Sequence, residues 1–183
     1  MLIGFIRKQW SNILFAILIL LLLIPQTGKP IRVFVSRLVA FSPSVESVED
    51  RALLIDYNWT LYDLNDQETN LKDFKGQKIL INLWATWCPP CVAEMPSMQA
   101  LYNDYKDKAV FLFVTLDDDK TLQKFLTKGN YSIPIYKPIS NPPKQLRSSS
   151  VPTTFLINEE GAVLIKKVGA ANWNSEKVRA LLD

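Results

Sequence analysis

Trp84-Ala85-Thr86-Trp87-Cys88-Pro89-Pro90-Cys91 decides the reading of this chain, and it follows directly on the apolar run Lys78-Ile79-Leu80-Ile81-Asn82-Leu83. A short run of β-branched and apolar residues reads as a buried strand. Beyond it the pattern changes: Cys91, Met95, Met98, Tyr102 and Tyr105 recur at the helical period. The two cysteines therefore stand where a strand hands over to a helix. Cys88 falls near the N-cap and Pro89 at the first helical position, where a missing N–H costs nothing. A thiolate there is favoured by the partial positive charge of the helix terminus and by its free N–H groups. Cys91, one turn on, is close enough to close a disulfide, which is what thiol–disulfide exchange requires.

These are the only two cysteines in 183 residues, and the chain has no histidine. That excludes Cys₂His₂ zinc, Cys–His nucleophilic catalysis and histidine-dependent copper. A redox-active pair, a structural disulfide and a Cu(I) site made from the two thiolates stay open, and the strand–turn–helix context favours the first. The net charge of +3 comes without a basic stripe carrying interleaved aromatics, so nothing points to nucleic acid as a partner.

Nearly half the residues are hydrophobic, and much of that excess lies near the N-terminus. Arg7 and Lys8 precede an uninterrupted apolar run over 13–24, with Trp10 placed as an interfacial anchor. Twelve residues are short for a membrane span, which needs about 20. The run reads as an uncleaved membrane anchor first, then as the apolar region of a cleaved signal, and last as a core helix. The following Pro25-Gln26-Thr27-Gly28-Lys29-Pro30 lacks a small-x-small cleavage site. Over 31–41, apolar residues recur at 31, 34, 35, 38 and 41, with Arg32, Ser36 and Arg37 facing away. That is an amphipathic helix, fitted either to the membrane interface or to docking on the domain. The organisation expected is an anchor and amphipathic segment over 1–41, a polar linker over 42–56 and a folded domain over 57–183.

Within that domain, Trp59-Thr60-Leu61-Tyr62 alternates ahead of a turn at Asn65-Asp66, which predicts a small extra β-hairpin before the core. The continuous apolar run Ala109-Val110-Phe111-Leu112-Phe113-Val114-Thr115-Leu116 predicts a strand buried on both faces, as in a parallel sheet. Asp117-Asp118-Asp119 is expected to cap a helix carrying Leu122, Phe125 and Leu126, with Gly129 as its stop. Pro134, Pro138, Pro142 and Pro143 predict a loop-rich crossing. Thr154-Phe155-Leu156-Ile157 and Val163-Leu164-Ile165 form a hairpin around Asn158-Glu159-Glu160-Gly161, and Ser175 starts a short final helix. The order ββ–β–α–β–α–β–β–α gives an α/β fold, a four-stranded mixed core with helices on both faces.

The motif, the following Glu94-Met95-Pro96 and the later Val151-Pro152-Thr153-Thr154 resemble the TlpA/ResA-like group of thioredoxin-fold thiol–disulfide oxidoreductases over roughly 57–183. The resemblance implies Cys88 as the attacking cysteine, Cys91 as the resolving one, and the pair as a redox-active disulfide. It also implies Pro152 as a cis-proline facing that disulfide and Glu94 as a carboxylate guiding proton traffic. Trp87, Pro89, Pro90 and Val151 become the surface that meets the substrate. It implies no small-molecule cofactor and no metal. The implied partners are protein disulfides, apocytochrome c among them, and a membrane thiol carrier as electron donor. It places a single-pass, inner-membrane-anchored protein with its catalytic domain in the periplasm; the alternative is a Cu(I) carrier. Two departures matter. Many thioredoxins carry a buried aspartate where this chain has Asn82, which cannot accept a proton, so Glu94 is the nearer candidate. Peroxiredoxins need a threonine where this chain has Ala85. Pro96, inside the helix, removes a backbone hydrogen bond and is expected to kink it.

Overall fold

In the computed structural model, residues 9, 10, 12–17, 19, 20 and 25–183 are described. The apolar run over 13–24 lies partly outside them, since 18 and 21–24 are not described. Among the described residues no helix is long and apolar enough to cross a membrane. The elements, in chain order, are α1 (Pro25–Leu38), β1 (Thr60–Asp63), β2 (Glu68–Asn70), β3 (Ile79–Leu83), α2 (Pro89–Tyr105), β4 (Val110–Val114) and α3 (Asp119–Gly129). There follow β5 (Ile135–Pro138), β6 (Thr153–Ile157), β7 (Val163–Val168) and α4 (Glu176–Leu182).

Seven strands make one sheet in the order β2-β1-β5-β4-β3-β6-β7. The apolar runs at β3 and β4 pair in parallel at its centre, while β6 runs antiparallel to β3 and β7 antiparallel to β6. Alternation along β3 divides the core. Ile79 and Ile81 join Leu112, Val114, Phe155 and Ile157 on one face; Leu80 joins Phe111, Phe113 and Leu156 on the other.

The helices gather on that second face. Met95, Met98 and Leu101 of α2, Leu122 of α3 and Val178 and Leu182 of α4 all pack there. The expected helices on both faces are not found. The first face is closed by Leu54, Tyr57 and Trp59 and by two short 3₁₀ turns, Leu71–Phe74 and Lys144–Leu146. The physical reason is the proline crossing: Pro138, Pro142 and Pro143 cannot continue a helix, so the chain crosses that face as a loop. The same stretch hides β5. Ile135-Tyr136-Lys137-Pro138 reads as loop beside its prolines, yet it pairs in parallel with β4 and antiparallel with β1, carrying the extra hairpin to the sheet edge. Pro138 lies beyond the pairing of β5 with β4, which ends at Val114 opposite Tyr136, so its missing N–H costs that ladder nothing.

Local details also depart from expectation. Asn130, not Gly129, takes the left-handed position that ends α3. Gly129 is held to glycine by the Tyr131 ring, which occupies the space a Cβ would need. The helix α2 runs through Pro96 without a break, and the Ser97 hydroxyl donates to the Glu94 carbonyl at 2.8 Å.

The stretch 42–56, read as a linker, is tied to the domain. The N–H groups of Glu46, Leu54 and Val163 donate to the carbonyls of Leu164, Gly161 and Ala52, and Asn172 donates to Phe41. A row of acids and serines suggested a solvated tether, but the backbone here finds its partners along β7 and its hairpin.

The helix α1 packs on α2, and not through the face its apolar residues mark. Pro30 and Val33 face Pro89 and Val92; Arg37 and Ala40 face Ala93, Pro96 and Ser97. Phe34, Val35, Leu38 and Phe41 point outward instead, each more than half exposed.

Candidate active site

The strand-to-helix handover puts both sulfurs at the sheet's end. Cys88 is the N-cap of α2, and the next two positions are Pro89 and Pro90, so the first N–H able to reach it is that of Cys91, at 3.3 Å from the Cys88 sulfur. The two sulfurs form a disulfide across a Cα–Cα distance of 5.3 Å. Both are buried, Cys91 completely and Cys88 at 4% exposure, and the Cys88 Sγ lies 3.6 Å from the Val151 carbonyl oxygen.

Val151 belongs to the loop that enters β6, and the Val151–Pro152 peptide bond is cis. Pro152 is buried and its carbonyl accepts from the Gly169 N–H at 2.9 Å, which fixes the loop against the end of β7. Trp87 stands out at 63% exposure, and Pro89 and Pro90 are half-buried beside it. The structure thus brings together Cys88, Cys91, Trp87, Pro89, Pro90, Val151 and Pro152. A cleft of about 670 Å³ opens next to the motif, lined by Trp59, Trp87, Leu116, Ile139 and Val151 among others.

Beneath Cys91 lies a carboxyl. Glu94 is 1% exposed, the only buried acid among the described residues. The Asn82 side-chain N–H donates to its Oε1 at 2.9 Å; the Trp173 indole N–H at 2.9 Å and the Ala171 N–H at 3.2 Å donate to Oε2. Burial pushes the Glu94 carboxyl up to about 7, with the donors from Trp173, Asn82 and Ala171 pulling against it. A group balanced there exchanges a proton near neutrality. Asn82 also donates to the Thr154 hydroxyl at 2.7 Å across the β3–β6 pairing, and its own Oδ1 finds no donor.

Three contributors escape sequence reading. Trp173 and Ala171 lie in a loop 77 to 79 residues beyond Glu94, with no periodicity to mark them. Asp117 looked like part of a capping acid triplet. Asp118 does cap α3, accepting from Thr121 N–H at 2.9 Å, and Asp119 pairs with Lys137. Asp117 instead accepts from the Thr86 N–H at 2.6 Å, pinning the turn that carries Trp87 and Cys88. Met95 and Met98, the soft sulfur ligands nearest the cysteines in sequence, are both taken up by core packing.

A disulfide-bonded cysteine pair at a helix N-terminus opposite a cis-proline, on this sheet, defines a thioredoxin fold. The Redoxin family model matches residues 38–182. A thiol–disulfide oxidoreductase ResA of Geobacillus thermodenitrificans is 34% identical over 131 residues, 69% of this chain and 73% of that protein. A ResA of Bacillus cereus is 37% identical over 118 residues, covering 61% of this chain and 66% of its relative, slightly under two thirds. The thioredoxin domain of a thiol–disulfide oxidoreductase from Bacteroides vulgatus shares the fold at a TM-score of 0.59, with 22% identity, 72% of this chain and 99% of that chain covered. The chain belongs to the Redoxin family, among its TlpA/ResA-like thioredoxin-fold members.

Proposed function

We propose that this protein is a membrane-anchored, extracytoplasmic thiol–disulfide oxidoreductase that reduces protein disulfides through Cys88 and Cys91. The observation that supports the reading is the placing of the pair: Cys88 sits between Trp87 and Val151, which both line a cleft, while Cys91 is fully enclosed one helical turn before a buried carboxyl. The Cys88 thiolate attacks a substrate disulfide, a mixed disulfide forms and one substrate thiol leaves. Cys91 then gives its proton to Glu94 and attacks Cys88, releasing the second thiol and leaving the Cys88–Cys91 disulfide. Two electrons pass to the substrate, and a membrane dithiol carrier restores the enzyme.

The N-terminus of α2 supports the reducing direction. With Pro89 and Pro90 lacking N–H groups, a single donor reaches the Cys88 sulfur, so its thiolate is stabilised modestly. A thiolate held weakly favours the disulfide over the dithiol, which makes a reductant. The cleft beside Val151 accommodates an apolar stretch of a substrate chain; an apocytochrome c, whose haem-attachment cysteines must be reduced, is of this kind. Anchoring rests on the apolar run over 13–24 with Arg7 and Lys8 before it.

The test is trapping. Cys91→Ser in the full-length protein should accumulate mixed disulfides with partner proteins on non-reducing gels, while Cys88→Ser should trap far fewer. Equal trapping by both, or none by Cys91→Ser, would overturn the assigned order of attack.

A further inference from the structure

The helix α1 carries three stripes, spaced about a third of a turn apart at 100° per residue. The first, Pro30, Val33 and Arg37, borders grooves shared with α2, with Val33 half-buried. The second, Arg32 and Ser36, is polar. The third, Phe34, Val35 and Leu38, is apolar and exposed by 62, 51 and 65%, and Phe41, three residues beyond the helix, is exposed by 76%. An ordinary amphipathic helix buries its large apolar residues against the domain; this one spends small and mixed residues there and leaves its phenylalanines outside. Further toward the N-terminus, Trp10, Ile13, Leu14, Phe15, Ile17, Ile19 and Leu20 are likewise exposed.

We propose that the outer stripe of α1 lies in the lipid surface, so that one helix is clamped between bilayer and catalytic domain and holds the active site in a fixed orientation. The proposal rests on the membrane-anchored reading above and adds the geometry to it. Lipid is the occupant for two reasons. The run over 13–24 is about 18 Å long as a helix, against about 30 Å of bilayer hydrocarbon, so it needs further apolar contact to hold the protein firmly. The stripe that supplies such contact begins at Phe34, ten residues after that run ends. Nor is the domain free to swing. The stretch after α1 is bonded to β7 and its hairpin, and the Phe41 carbonyl accepts from Asn172. Pro30 and Val33 wall a groove shared with Trp87 and Pro89. The mouth of the site therefore sits about one helix diameter, roughly 10 Å, from the lipid. A dithiol carried at the membrane surface reaches it there.

The full-length protein in nanodiscs of phosphatidylcholine and phosphatidylglycerol provides the test, with photoreactive benzoylphenylalanine at Phe34 or Leu38 and, as control, at Lys120 on α3. Lipid adducts from 34 and 38 but not from 120 are expected. Adducts to a second copy or another protein, or no lipid adduct at either position, would overturn the proposal. Retention on the membrane after a carbonate wash reads the anchor separately: protein lost in the wash refutes anchoring, and protein retained without adducts refutes only the role of α1. A second readout uses Phe34→Asp with Leu38→Asp. Reduction of the Cys88–Cys91 disulfide by a lipid carrying a dithiol headgroup, relative to a soluble dithiol, should fall at least fivefold while insulin reduction is unchanged. An unchanged ratio would count against the proposal.

Discussion

The two faces of the sheet are built by the same strands and do different work. Toward Leu54, Trp59 and the 3₁₀ turns, β3, β4 and β6 present Ile79, Ile81, Leu112, Val114, Phe155 and Ile157, all of them apolar. Toward α2, the neighbouring positions include Asn82 and Thr154 paired across β3–β6, and above them stands Glu94. One face maximises burial. The other gives up burial at one point to keep a carboxyl dry, close to Cys91 and poised near neutrality. The difference teaches where substitutions should cost stability and where they should cost chemistry.

The largest effect is expected on the apolar face. Phe155 is fully buried there, and Phe155→Ala should lower unfolding free energy by about 3–5 kcal/mol. Denaturant titration measures it. Where the variant remains folded, its insulin-reduction rate should stay within about twofold of the parent, because no atom of Phe155 reaches the sulfurs. A loss under about 1 kcal/mol, or a large kinetic defect in folded protein, would blur the division between the faces.

The next effect tests the polar face. Glu94→Gln keeps shape and hydrogen-bonding capacity, and the unpartnered Asn82 Oδ1 can take the new amide N–H once the Asn82 side chain turns over. Without a base, resolution of the mixed disulfide by Cys91 should slow by about 10²-fold, seen by rapid quench. Stability should move the other way. The folded state holds the Glu94 proton up to about 7, whereas the unfolded chain releases it near 4.5. The Glu94 contribution to stability is therefore greatest below pH 4.5, is lost as pH rises through that window, and stays lost above 7. Glutamine removes this loss, so the variant should gain on the parent by about 3 kcal/mol between pH 4 and pH 8, at about 1.4 kcal/mol per unit. A parallel pair of pH–stability curves would refute the assignment.

The apolar face and the cysteine turn were legible because periodicity is a local signal: β3, β4, β6 and α2 read directly from runs and spacings. The polar face was legible only in part. Asn82 and Glu94 flank the motif and draw notice, but the chain closes the network with Trp173 and Ala171, brought in from far along the sequence by the loop before α4. Nothing in Gly169-Ala170-Ala171-Asn172-Trp173 marks an indole aimed at a carboxylate. The strand β5 was hidden for the opposite reason, since its prolines imitate a loop while its neighbours impose a strand. For α1 the pattern was visible but its direction was not, because sequence gives the angle between stripes and not which one meets the protein.

The smallest effect, and the sharpest probe of the comparison, is expected at Trp173. Its indole N–H supplies one of three donors to Glu94, at 2.9 Å, and its ring is wholly buried. Trp173→Phe keeps an aromatic in the core and deletes that donor. A hydrogen bond to a charged group is worth about 1.5–3 kcal/mol, and the Ala171 N–H remains on the same oxygen to offset part of the loss. The ionised form of Glu94 is the one destabilised, so its titration should move up by about one unit, near 1.4 kcal/mol. The pH profile of the resolving step should shift alkaline by that amount, while the rate at the new plateau stays within about threefold of the parent. A smaller ring filling the same space without the donor separates chemistry from packing. If stability falls but the midpoint does not move, Trp173 is core like its counterparts on the apolar face, and the network beneath Cys91 ends at Asn82.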